Sequence, residues 1–142
     1  MDPLSLTASI IAIVQISGTI GKGLKKIVNL RNAPDIFLAL NNEVADLQCI
    51  LQDVNSLLRQ RLDTTGQEPL GSLVRALEKA KQTLSKLEIL LAYDLTTTKR
   101  NGNEARLDRS VWIRAEAKVH QIKDEIREDK SSLSSALSIL TS

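Results

Sequence analysis

The chain has 142 residues, 42% of them apolar and 25% charged, which allows one domain with a sizeable core and argues against disorder. Its formal net charge is only +2, and a single cysteine, Cys49, excludes an internal disulfide and a thiolate zinc site and favours a reducing, intracellular setting. Few aromatics (Phe37, Tyr93, Trp112), few Pro and Gly, and many Leu, Ile, Ala, Lys, Glu and Gln predict an all-α fold.

The first element opens at Asp2-Pro3, an acceptor side chain followed by a proline suited to the first helical position, and runs toward Leu30. It contains no charged residue from Pro3 to Gly21, and Lys22, Lys25 and Lys26 follow at once. A signal peptide carries its positive charge before the apolar run, whereas here Asp2 precedes it. As a helix the uncharged stretch reaches roughly 28 Å, close to the thickness of a bilayer core. Ser5, Thr7, Ser9, Gln15, Ser17 and Thr19 nevertheless make it a poor permanent span. On a helical projection Leu6, Ile10, Ile13, Val14, Ile20, Leu24 and Ile27 form one stripe, expected to face a core. Ile11 and Ile16 are a surplus beyond it. Gly18, Gly21 and Gly23 each cost about 1 kcal/mol relative to Ala in a helix interior. They serve either close helix packing or a hinge behind the apolar front half.

Asn32-Ala33-Pro34-Asp35 ends this helix and starts a second. Its apolar positions are Ile36, Leu40, Val44, Leu47, Leu51, Val54, Leu58 and Leu62, and Cys49 is expected to act there as a small hydrophobe. Asp63–Pro69 reads as a turn. A third helix follows on Leu70, Leu73, Leu77, Ala80, Leu84, Leu87 and Leu91, then a polar loop over Thr96–Asn103. The last segment carries Trp112, Ala115, Val119, Ile122, Ile126, Leu133, Leu137 and Leu140, as one helix or as two broken near Ala117. Its acidic pairs, Asp124/Glu125 and Glu128/Asp129, alternate with Lys123, Arg127 and Lys130 as on a solvated helix face. Long amphipathic helices on short connections predict an antiparallel up-down bundle of four helices in one domain. The final residues remain in helical phase, as expected of the N-terminal part of a longer protein.

Charge is uneven. Residues 1–31 hold one acid and four bases, and residues 96–118 hold three acids and six bases, Lys99 and Arg100 among them. Such zones fit an anionic surface or an ordinary solvated face. With one histidine, His120, expected at the surface, there is no metal pair and no nucleophile–base set; no cofactor and no enzyme activity are expected. Gly18–Gly23 is not a phosphate loop, because Ile16 stands at the leading glycine position and Gly23 follows the lysine. The bases are too sparse and too poor in aromatic neighbours for nucleic acid.

The opening "MDPLSLTASIIAIVQISGTI", the stretch "APDIFLALNNEVADLQCIL" (Ala33–Leu51) and the lone Trp112 resemble the HeLo-like domain, found at the N-terminus of fungal STAND and NLR-type proteins. The resemblance spans essentially the whole chain. It implies a helical bundle related to the HeLo domain and to the four-helix domain of the mixed-lineage kinase-like pseudokinase. It also implies an executioner of regulated cell death, cytoplasmic at rest. An upstream NLR or amyloid-forming partner would drive homo-oligomerisation, and the first helix would then disrupt the plasma membrane. The insertion segment so implied is Leu4, Leu6, Ile10, Ile11, Ile13, Val14 and Ile16. Lys22, Lys25, Lys26, Lys99 and Arg100 are then candidates for anionic headgroups, and Gly18, Gly21 and Gly23 for the hinge. The alternative is a non-lytic helical adaptor or oligomerisation domain of an NLR-type protein.

Overall fold

The computed structural model describes residues 3–30, 32–60, 68–94, 97–100 and 104–141. Four helices make up most of it: α1 (Pro3–Val28), α2 (Asp35–Gln60), α3 (Glu68–Ile89) and α4 (Arg109–Thr141). A π-helical turn, Leu90–Asp94, continues α3, and two short strands, β1 (Thr97–Arg100) and β2 (Glu104–Leu107), precede α4. The last segment is thus a single helix through Ala117, as its unbroken apolar phase allows.

Two connections differ from their reading as polar loops. Part of Thr96–Asn103 belongs to a hairpin, with Thr97 opposite Leu107, Thr98 opposite Arg106, Lys99 opposite Ala105 and Arg100 opposite Glu104. Consecutive β-branched threonines favour an extended chain, and Asn101-Gly102 between the strands is a hairpin signal that polarity alone overlooks. In the turn read over 63–69, residues 63–67 lie outside the described residues, while Glu68 and Pro69 open α3. Proline fits the first turn because its missing N–H has no helical partner to lose.

The helix stripes meet in one core. Leu6, Ile10, Ile13, Ile20, Leu24 and Ile27 of α1 are buried, as are Leu40, Val44, Leu47, Leu51, Val54 and Leu58 of α2. Leu73, Leu77, Ala80, Leu84 and Leu87 of α3 join them, with Ala115, Val119, Ile122, Ile126, Leu133 and Leu140 of α4. Val14, Ile36, Leu91, Trp112 and Leu137 pack only at its margin. Leu62 and the side chain of Leu70 lie outside the described residues. The first large side chain of α2 in the core is Phe37, fully buried, not Ile36. Phe37 packs against Trp112 with ring centroids 5.2 Å apart and planes tilted by 53°, joining the starts of α2 and α4.

α1 packs mainly on α2, α3 mainly on α4, and α2 also on α4. Ion pairs mark the registers. Lys79 and Lys86 of α3 reach Glu128 and Glu125 of α4 at 3.4 and 3.3 Å, so numbering rises on one helix and falls on the other. Glu43 of α2 meets Arg127 at 3.1 Å and Lys130 at 2.6 Å, and Asp46 meets Lys130 at 3.2 Å. Burial raises the Glu43 carboxyl, but hydrogen bonds from Lys130 and Arg127 outweigh it and hold the group below its ordinary value. Asp108 caps α4, accepting from the Ser110 hydroxyl at 2.7 Å and the Ser110 and Val111 amides at 2.9 and 3.4 Å. Those bonds, the hydroxyl first, lower its carboxyl.

Candidate functional site: the face of α1

α1 is a continuous helix in which the apolar set divides by environment. Leu6, Ile10 and Ile13 are 2% exposed or less, Val14 and Ile16 are half-buried, and Ile11 is 37% exposed. The side chain of Leu4 lies outside the described residues. The seven positions therefore do not form one exposed patch: three are core side chains, and they reach a membrane only if α1 leaves its bed on α2.

The helix has an open flank. Along the side toward α3 runs a groove of about 940 Å³, walled by Leu6, Ala8 and Ala12 on α1 and by Val74, Leu77 and Ile89 on α3. Small side chains on α1 leave the gap. Within the uncharged stretch, Ser17 is 1% exposed and donates to the Val14 carbonyl at 2.7 Å, while Thr19 donates to the Gln15 carbonyl at 3.2 Å. These hydroxyls are satisfied by their own helix, so they would carry their partners into an apolar phase.

The helix from Ser5 to Val28 is long and apolar enough to cross a membrane, with a mean hydropathy of 1.2 over its best window and only 28% of that window buried. α1 packs on α2 and, less extensively, on α3 and the π-helical turn, and its outer face stays open. Lys22, Lys25 and Lys26 are exposed near its C-terminal end, where cations also complement the helix dipole. Lys99 and Arg100 stand on β1, away from α1 in sequence, and their side chains lie outside the described residues.

None of the three candidate hinge positions needs glycine for close approach. A Cβ at Gly18 would meet Gln48 Nε2 at 3.6 Å, one at Gly23 would meet Leu91 Cδ1 at 3.5 Å, and one at Gly21 would meet nothing within 4 Å. Those are ordinary contacts or open space, so packing does not explain Gly21. Gly21→Ala is expected to stabilise the bundle by about 0.5–1 kcal/mol. Chemical denaturation checks it, and a loss of stability would mean that α1 requires a bend there.

Two side chains depart from their sequence reading. Cys49 is exposed, because the α2 stripe passes through Leu47 and Leu51 and leaves residue 49 on the outer side. Asp129, read as part of a solvated face, is fully buried at a place where the α4 stripe skips from Ile126 to Leu133. Thr83 of α3 is buried beside the same seam. The seven-residue gap in the α4 stripe was the available signal for Asp129, since position 129 or 130 must face inward there. His120 is exposed, and among the described residues no three His, Cys, Asp or Glu gather as for a metal ion.

Comparison with protein-family models, with curated proteins and with solved structures gives no match for this chain.

Proposed function

We propose that the chain is a single HeLo-like domain, an antiparallel up-down-up-down bundle, and a membrane-disrupting executioner of fungal regulated cell death. At rest it is cytoplasmic with α1 packed. Oligomerisation, imposed by an upstream NLR or amyloid-forming partner, frees α1 to enter the anionic plasma membrane. The observation that carries the reading is α1 itself: uncharged for nineteen residues from Pro3 to Gly21, apolar and long enough to span, with an open outer face, and followed by three exposed lysines.

Energetics shape the trigger. Six buried Leu and Ile side chains hold α1 at roughly 1.5–3 kcal/mol each, so release of a lone helix into water is negligible. A bilayer core offers the same apolar burial, and the lysines add about 1 kcal/mol each at an anionic surface. Clustering several copies converts weak individual insertion into strong collective binding.

The test is flotation of the artificially clustered protein with vesicles of mixed neutral and anionic lipid. Replacing Lys22, Lys25 and Lys26 together by Gln is expected to weaken binding by about 100-fold, following from about 1 kcal/mol per lysine. Equal binding by wild type and the triple variant would remove the headgroup role. The burial of Leu6, Ile10 and Ile13 favours a second reading, a non-lytic adaptor that oligomerises without lipid. Assembly in solution with no flotation on any vesicle would select it.

A further inference from the structure

Asp129 is the one charged side chain that is fully buried among the described residues, and it lies in the seam between α3 and α4. Neither carboxylate oxygen has a hydrogen bond of good geometry among the described residues. Thr83 on α3 is its one hydrogen-bonding neighbour, and that hydroxyl also lies 3.1 Å from the Lys79 carbonyl, so two acceptors compete for a single proton. Lys79 attracts it, yet the ammonium is engaged with Glu128 at 3.4 Å. On its own helix Glu125 and Glu128 repel it. α2, the other helix packed on α4, presents Glu43 and Asp46, and both are occupied by Lys130. A carboxylate so placed has lost water and gained no cation of its own, an arrangement that penalises the charged form far more than the neutral one.

We propose that Asp129 is an acid-closed latch: with its carboxyl protonated the α3/α4 seam shuts, and ionisation toward neutral pH loosens α3 from α4. Burial pushes the group above its ordinary value of 3.8, with Thr83 and Lys79 only partly opposing. A raised native value stabilises the fold fully below 3.8, and the contribution is lost as pH rises through the native value. Glu43 works in the opposite sense, since its lowered carboxyl stabilises above its ordinary value of 4.5 and fails as pH falls. The wild-type stability curve therefore mixes the two, and a variant that removes only Asp129 separates them. The latch stands independently of whether α1 enters a membrane.

The experiment compares urea denaturation of wild type and Asp129→Asn from pH 3.8 to neutral. The gap in favour of the variant should widen as pH rises, by about tenfold in the unfolding equilibrium for each unit by which the native value is raised. A gap that stays constant overturns the latch. At neutral pH, amide exchange in the variant should slow most over 76–87 and 122–136; equal slowing in all helices, or none, also overturns it. Should the variant not fold, the wild-type Asp129 carboxyl carbon is titrated by NMR. A midpoint above 3.8 supports the latch, and one at or below it contradicts the proposal.

Discussion

Phe37→Ala is expected to destabilise the bundle by about 3–5 kcal/mol, a large share of the roughly 5–15 kcal/mol that holds a domain together. Phe37 is fully buried and packs on Trp112, so truncation removes the ring's burial, opens a cavity and ends the aromatic contact. Trp112 is the sole tryptophan, so its fluorescence reports the loss directly: a red-shifted emission and a lower urea midpoint. A loss below about 1 kcal/mol would show that the two helix starts are not joined as described.

Ile11→Glu is expected to leave the fold within about 0.5 kcal/mol of wild type, because the side chain is exposed and Glu is a good helix former. Its effect on membranes should be large. A charged side chain at mid-helix costs about 3 kcal/mol in a bilayer core, more than a hundredfold in partition for one helix. In a cluster of helices the penalty recurs with every copy. Dye release from anionic vesicles should fall at least a hundredfold in potency while the urea midpoint stays in place. Ile10 and Ile13 cannot supply this separation, since a charge at either would unfold the core first. Equal dye release by Ile11→Glu and wild type would place α1 outside the bilayer.

The helical architecture was legible because apolar spacing near 3.6 is strong in all four segments, and nearly every stripe residue in the described chain is buried. Orientation at the margins was harder to read. Ile36 and Phe37 are adjacent, and the strict 3-4 alternation of the α2 stripe, carried back from Leu40, falls on Phe37, a finer signal than apolar character alone. Asp129 is hard to read because a charged residue among alternating charges looks solvated, although the α4 stripe leaves an unfilled inward position there. The hairpin escaped because polar composition masked the extended preference of the threonines. In the candidate site, the surplus of Ile11 over the stripe and the outward position of Lys22 and Lys26 were readable from phase. The groove beside α3 was not, since it arises from which two helices fail to close against each other.

The most direct measurement places a polarity-sensitive fluorophore on α1. The single exposed thiol is removed by Cys49→Ser, and Ile11→Cys supplies the attachment point. On clustering the protein with anionic vesicles, the label should shift to blue emission and become shielded from an aqueous quencher. If the protein floats with the vesicles while the label stays red and fully quenchable, α1 does not enter the bilayer and the executioner reading is wrong.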